Sequence, residues 1–149
     1  MKRAAYADPR FDHRYQSPPA YEPNHLTVKS HENVAVYDSR WEATESFVLE
    51  RSDLVEAWVK NDHLGFEVLW MFGGVVKKFR PDFLVRLRNA TTLVLEVKGQ
   101  DSAENQAKRR FQAEWVQAVN EQSGFGRWVN DVSFDPDDVE SLLAKHAST

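Results

Sequence analysis

Hydrophobic and polar residues divide the chain into an irregular first part and a patterned remainder. Residues 1–33 hold four prolines among polar residues and tyrosines, and no periodicity emerges there. From residue 34 onwards, hydrophobic positions recur at the intervals that helices and strands require. The pattern therefore predicts an irregular N-terminal arm over residues 1–33 and one folded domain over residues 34–149.

The first predicted helix begins near Ser39. Ser39 followed three residues later by Glu42 is a capping-box pattern, which marks the start of a helix. Trp41 and Val48 then follow with helical spacing. The next apolar stretch, residues 54–59, is compatible with a strand or with a short helix, and its pattern does not decide between them.

Strand patterns dominate the middle of the chain, because strand-forming residues alternate between turn signals. The predicted strands cover residues 66–72, 75–87 and 92–98. Gly73 and Gly74 separate the first two, and a glycine pair is a strong hairpin signal because both positions can take positive φ. A turn centred on Asn89 separates the second and third.

The last third of the chain returns to helical spacing. A helix is predicted from about Ser102 to Asn120, with an apolar face at four-residue intervals formed by Phe111, Trp115 and Val119. A strand over residues 127–134 and a helix opening at Asp135-Pro136 follow. The predicted order is α-β-β-β-α-β-α, an α/β domain with a mixed sheet of four to five strands flanked by helices.

Composition excludes several classes of protein. The chain has 149 residues, 42% of them hydrophobic and 28% charged, which suits one globular domain. It contains no cysteine, which removes disulfides, thiolate catalysis and cysteine zinc sites and fits a cytoplasmic location. The five histidines show no ligand spacing. No apolar run is long enough to span a bilayer, and no secretory signal is apparent, so a membrane is not an expected partner.

The charge distribution adds a candidate site. The formal net charge is −4, but residues 77–110 hold nine lysines or arginines against four acidic residues. A basic segment with embedded carboxylates suits contact with phosphate groups. A solvated, charged sheet face would have the same composition, so charge alone leaves both interpretations open.

The turn at Asn89 brings the embedded carboxylates together. In the register that it sets, Phe83 faces Leu95 and Val85 faces Leu93, which places apolar pairs on one sheet face. The same register sets Asp82 opposite Glu96. Opposed like charges destabilise a sheet unless a cation neutralises them, and oxygen ligands suit Mg²⁺ or Mn²⁺.

The sequence therefore predicts a metal site with a neighbouring cation. Asp82 and Glu96 are its expected metal ligands, together with the carbonyl of Val97. Lys98 follows Glu96 by two residues and so lies on the same face. Its expected role is to orient or deprotonate an attacking water, or to stabilise charge that develops on a phosphate.

These residues resemble the signature of the PD-(D/E)XK nuclease superfamily, with Phe79-Arg80-Pro81-Asp82-Phe83 followed by Leu95-Glu96-Val97-Lys98-Gly99. Over roughly residues 27–146 the chain is similar to the C-terminal nuclease region of type III restriction enzyme subunits and related DEAD/DEAH-box helicases. Further segments carry that likeness: 38–42, 59–61, 64–68, 115–120 and 125–128.

The resemblance implies a restriction-endonuclease-like fold and Mg²⁺-dependent cleavage of DNA, with Asp82, Glu96 and Lys98 as the catalytic set. It also implies that a carboxylate of the first helix joins the metal site. Glu42 stands at that motif position, and Glu45, one turn on, is the rival. Such nucleases work with an ATP-driven motor, so a helicase or ATPase subunit is an expected partner. The chain has no phosphate loop of its own, so it is expected to be a stand-alone relative or a nuclease fragment.

Two residues beyond the catalytic set are candidates for substrate binding. Lys108 is expected to contact DNA phosphates, and a solvated helix face is the competing interpretation. Gln100 is expected to bind substrate or to cap its loop. The sequence also leaves open a non-cleaving nucleic-acid-binding or motor-docking module, and it does not distinguish a monomer from a dimer.

Overall fold

The computed structural model describes residues 25–26, 28–30, 34–35, 40–62, 64–98 and 100–149. Two short strands, β1 (His25–Leu26) and β2 (Val34–Ala35), precede helix α1 (Arg40–Arg51) and strand β3 (Val55–Lys60). Four strands follow: β4 (Val68–Phe72), β5 (Val75–Phe79), β6 (Phe83–Leu87) and β7 (Thr91–Val97). Helix α2 (Ala103–Glu121), strand β8 (Arg127–Ser133), a 3-10 turn (Pro136–Asp138) and helix α3 (Val139–Ala147) complete the described elements.

A four-stranded mixed sheet forms the centre of the fold, with the strand order β3-β6-β7-β8. The β3–β6 and β6–β7 pairs are antiparallel, whereas β8 runs parallel to β7. A parallel neighbour requires a crossover connection, and α2 provides it. The predicted α/β class is confirmed, and the central mixed sheet has four of the predicted four to five strands. The predicted order α-β-β-β-α-β-α is wrong in the middle of the chain, where five strands, not three, lie between α1 and α2 in the described residues. Residues 54–59, which the pattern left undecided, belong mostly to strand β3.

The prediction of one long strand over residues 75–87 is wrong. It is broken into β5, which pairs only with β4, and β6, which belongs to the central sheet. Pro81 lies at the break and has no N–H to donate to a strand ladder. The carbonyl groups at the break are held by Asn61, whose side chain donates to Pro81 (3.0 Å) and whose N–H donates to Asp82 (2.9 Å). The break fixes the position of Asp82 at the end of the central sheet.

Two turns form where the sequence predicts them. Gly73 and Gly74 both have positive φ, 58° and 77°, and they close the β4–β5 hairpin. Between β6 and β7, the side chain of Asn89 accepts a hydrogen bond from the Thr91 N–H (3.0 Å), and Ala90 takes a φ of 66°. This local Asx turn fixes the register of the two strands that carry the candidate site.

Different helices cover the two faces of the central sheet. On one face, Leu49 of α1 and Leu143 of α3 pack with Leu93 and Leu95 of β7 in the main core. A second cluster lies between the hairpin and α2, where Phe111 and Trp115 contact buried residues of β4 and β5. The buried residues of α2 are Gln112 and Val116, each one position after Phe111 and Trp115 of the predicted apolar face. The buried face is shifted because α2 packs against both β4 and β8.

The described end of the N-terminal arm packs on the domain. Glu50 accepts hydrogen bonds from the N–H groups of Val28 and Lys29, and the Lys29 carbonyl accepts one from the Trp58 N–H (3.1 Å). The rest of the predicted irregular arm (residues 1–24, 27 and 31–33) lies outside the described residues, as does the predicted capping residue Ser39. None of the helices in the described ranges has the length and apolar character that crossing a membrane requires.

Candidate active site

Asp82 and Glu96 meet at one end of the central sheet. Phe83 pairs with Leu95 and Val85 with Leu93, which confirms the predicted register. One residue further along, this register places Asp82 opposite Glu96. The Asp82 carboxylate is fixed by the N–H of Val97, which donates to its Oδ2 at 2.8 Å. The two carboxylates therefore occupy neighbouring positions on adjacent strands.

Two lysines converge on Glu96, which is only 2% exposed. The Nζ atoms of Lys98 and Lys108 lie 2.7 Å and 3.2 Å from the same oxygen, Oε1. Burial acts to lower the pKa of Lys98, but the hydrogen bond to Glu96 and the charges of Glu96 and Asp82 outweigh it and leave the pKa raised. Lys98 is therefore a cation at neutral pH. Lys108 also lies over the Phe79 ring, 4.3 Å from its centroid, which holds its side chain beside the strand end.

The carboxyl group of Asp82 has a raised pKa because it is buried near other carboxylates. Burial raises the pKa of Asp82 to about 6, and the charges of Glu42 and Glu96 add to that rise. The hydrogen bond from Val97 acts in the opposite direction and only partly offsets it. A buried carboxyl group whose pKa is raised further by nearby carboxylates is typical of a site that gains from a nearby positive charge.

Glu45, the rival of Glu42 as the helix carboxylate, lies deep in the protein. The sequence predicts for it a position nearer to solvent or one behind the metal ligands, and the full burial of its side chain rules out the first of these. Burial raises the pKa of Glu45 to about 8, the charges of Asp82 and Glu42 contribute, and the adjacent Ser133 hydroxyl opposes the rise. That hydroxyl donates to the Asp135 carbonyl (2.8 Å), and neither Glu45 oxygen has a hydrogen-bond partner among the described residues.

Glu42 lies closer to the surface, beside a buried lysine. Its Oε2 is 3.1 Å from Nζ of Lys60, whose ammonium also contacts Asp62 at 3.0 Å. The charge of Glu42 contributes to the raised pKa of Asp82, and the charge of Asp82 contributes to the raised pKa of Glu45. Both helix carboxylates therefore lie near the end of the sheet. A pocket of about 230 Å³ opens there, lined by Glu42, Lys60, Asn61, Asp62, Arg80, Pro81 and Asp82.

The two predicted substrate-binding residues differ in position. Lys108 reaches the site through its contact with Glu96. Gln100 is exposed, and its carbonyl accepts a hydrogen bond from the Asn105 side chain (3.2 Å), a contact that belongs to the loop before α2. Sequence reasoning did not single out Lys60 or Arg80 as site residues. The available signal for Lys60 was a lysine directly after the apolar residues Ala57, Trp58 and Val59.

The chemistry of these side chains fits a hard divalent cation. Among the described residues, no three histidine, aspartate or glutamate side chains form a ready-made metal cluster. Mg²⁺, however, is commonly held by one or two protein carboxylates together with water and substrate phosphate. Asp82 and Glu96 provide such a pair, and the buried Glu45 carboxyl without a hydrogen-bond partner adds an oxygen donor nearby.

The raised pKa of Glu45 predicts how the stability of the metal-free protein depends on pH. The folded protein holds this proton more tightly than the unfolded chain does, so the free energy of unfolding falls as pH rises from 4.5 to about 8 and levels off above that. Glu45→Gln is expected to remove that part of the pH dependence, on the order of 4 kcal/mol. Denaturant unfolding in EDTA between pH 5 and pH 9 measures the effect. The exposed Glu114→Gln on α2 is the matched control, and equal pH slopes in the two variants would refute the assignment.

No protein-family model and no curated protein sequence matches this chain.

Proposed function

We propose that the chain is a Mg²⁺-dependent DNA endonuclease of the PD-(D/E)XK superfamily, of the restriction or defence type, which works beside a helicase or ATPase motor. The observation that carries the proposal is the proximity of Asp82, directly before β6, to Glu96 of β7, with the Lys98 ammonium 2.7 Å from Glu96. Two carboxylates and a lysine at one sheet end provide both a place for a divalent cation and a charge for a phosphate.

The sheet topology supports the same proposal. The strands β3, β6 and β7 form an antiparallel meander in space, and α2 returns the chain to the parallel strand β8. This arrangement agrees with the restriction-endonuclease-like fold that the resemblance implies. The β4–β5 hairpin is then an insertion between the first and second strands of that sheet.

In this proposal Asp82, Glu96 and the Val97 carbonyl would hold Mg²⁺, or Mn²⁺ in its place, with Glu42 or Glu45 as a helix carboxylate. The bound ion would polarise the scissile phosphate and lower the pKa of a coordinated water. Because Asp82 accepts the Val97 N–H, its carboxylate is held in one orientation before any ligand arrives. Such preorganisation reduces the cost of assembling the site.

Lys98 acts electrostatically in this scheme. Its ammonium is ion-paired with Glu96 and so carries a proton, which makes it unsuited to deprotonating water. Its charge instead offsets the negative charge that builds on the phosphate oxygens as the water oxygen attacks and the phosphorus–oxygen bond to the leaving group breaks. Lys108, on the same carboxylate oxygen, supplies a second cation for the substrate.

Cleavage of supercoiled plasmid tests the proposal. The wild-type chain is expected to nick or linearise plasmid with Mg²⁺ and not with EDTA, and Glu96→Gln is expected to lose that activity because it weakens a direct metal ligand. Glu114→Gln, an exposed glutamate on α2, is the control and should cleave like wild type. Tight, Mg²⁺-independent binding of DNA without cleavage would favour a non-cleaving binding or motor-docking module instead.

A further inference from the structure

An exposed arginine and lysine lie next to the candidate site, held by one carboxylate. Arg80 and Lys78 project from the end of β5 with side chains 63% and 69% exposed. Both contact Glu67. The Arg80 Nε and terminal nitrogen lie 2.8 Å and 2.6 Å from Glu67 Oε1, and the Lys78 Nζ lies 3.0 Å from Oε2. These three residues are called the Glu67 cluster below.

The Glu67 cluster meets the pocket beside Asp82 through one of its members, Arg80. Arg80 lines that pocket together with Asp82, two residues further along the chain. Within the hairpin, Leu69 pairs with Lys78, and alternation along the strands puts Lys78 and Arg80 on the same side. A polynucleotide strand that left the pocket on the Arg80 side would meet Arg80 first and Lys78 next.

The contacts of Glu67 with Arg80 and Lys78 indicate which kind of ligand these two cations would bind. A carboxylate with one oxygen on the arginine fork and the other on an ammonium presents its acceptors much as two phosphate oxygens do. The two cations lower the pKa of Glu67, so it remains charged at neutral pH. Two cations against one carboxylate leave a residual positive charge, and exposed ion pairs of this kind are weak enough to exchange partners.

We propose that Arg80 and Lys78 form a binding site for the phosphodiester backbone of the substrate strand, beside the scissile phosphate, and that Glu67 competes with the phosphate for both cations. The inference rests on the proposed nuclease function and extends it to a second phosphate contact. Glu67 keeps the two cations in place in the free protein and releases them to the incoming strand.

Binding of a fluorescently labelled DNA duplex, measured by anisotropy in EDTA over a range of salt concentrations, tests this inference without cleavage. Arg80→Ala and Lys78→Ala are each expected to reduce the slope of log affinity against log salt by about 1, since each removes one phosphate contact. Arg80→Ala should also weaken binding about tenfold at low salt. Glu67→Gln should strengthen binding about fivefold, because a competing charge worth about 1 kcal/mol is removed.

Lys145 and Asp131 provide a closely matched control pair. The Lys145 side chain is 63% exposed, as that of Arg80 is, and its Nζ lies 2.8 Å from Asp131. The Asp131 side chain is 19% exposed, against 20% for Glu67. Lys145 belongs to α3, however, and does not line the pocket. Lys145→Ala should leave the salt slope unchanged. If Arg80→Ala and Lys78→Ala both bind DNA with the same salt slope as the wild-type chain, this inference is overturned and the proposed function is not. Absence of any salt-dependent binding by the wild-type chain would overturn the proposed function with it.

Discussion

If the proposed function is right, replacing Asp82 by asparagine is expected to reduce DNA cleavage by about 10³-fold or more, because the proposed metal site loses a charged oxygen ligand. The fold should tolerate the change. The asparagine side-chain oxygen can still accept the Val97 N–H, now bound at 2.8 Å, and a buried carboxyl with a raised pKa is removed. Above about pH 6 the metal-free variant should therefore be at least as stable as wild type.

Calorimetric titration with Mn²⁺ and thermal unfolding in EDTA separate these two effects. Asp82→Asn should bind Mn²⁺ weakly or not at all and should melt at or above the wild-type temperature at pH 7.5. Asp138→Asn is the matched control, since Asp138 is exposed and its side chain makes no cap hydrogen bond at the start of α3. Cleavage at the wild-type rate by Asp82→Asn would remove Asp82 from the metal site.

Lys98→Ala is expected to lower kcat by about 10²-fold, because the removed charge acts on the phosphate in the transition state. Metal affinity should stay equal or improve slightly, since an ammonium 2.7 Å from Glu96 repels a cation bound by that carboxylate. Lys98→Arg should restore little activity, because the planar guanidinium does not reproduce a compact ammonium.

The contrast between kcat and metal affinity distinguishes this role from a structural one. If Lys98 only neutralises Glu96, Lys98→Ala should lose metal binding yet cleave normally once metal is saturating, and the electrostatic mechanism would then be wrong. Lys145→Ala, at an exposed ion pair on α3, should change neither quantity. Lys108 contacts the same Glu96 oxygen, so the residual activity of Lys98→Ala can be attributed to it by comparison with the double variant.

The register of the two central strands could be predicted because local and long-range signals agree. Asn89 specifies the turn by a side-chain hydrogen bond to Thr91, and the apolar pairs of Phe83 with Leu95 and Val85 with Leu93 fix which residues face each other. Shifting the register by one residue would break these apolar pairs and move every side chain of the strand to the opposite face of the sheet. The position of Asp82 against Glu96 follows from the same constraint.

Other features depend on packing that the sequence does not encode locally. Glu42 and Glu45 are three residues apart on α1, so both lie on one helical face, and only the docking of α1 buries Glu45 completely and pairs Glu42 with Lys60. The break between β5 and β6 depends on Asn61, twenty residues away from Pro81. Arg80 differs from these, because a local signal for it existed: it stands two residues before Asp82, and alternation puts both residues on one side of the predicted strand.

The rate at which supercoiled plasmid is nicked, measured against Mg²⁺ concentration for wild type and Asp82→Asn purified in parallel, tests the central claim most directly. The nuclease assignment predicts a rate that rises and saturates with Mg²⁺ for wild type and stays at background for Asp82→Asn. Equal nicking by both proteins, or no nicking by a wild-type chain that binds Mg²⁺ and DNA, would contradict it.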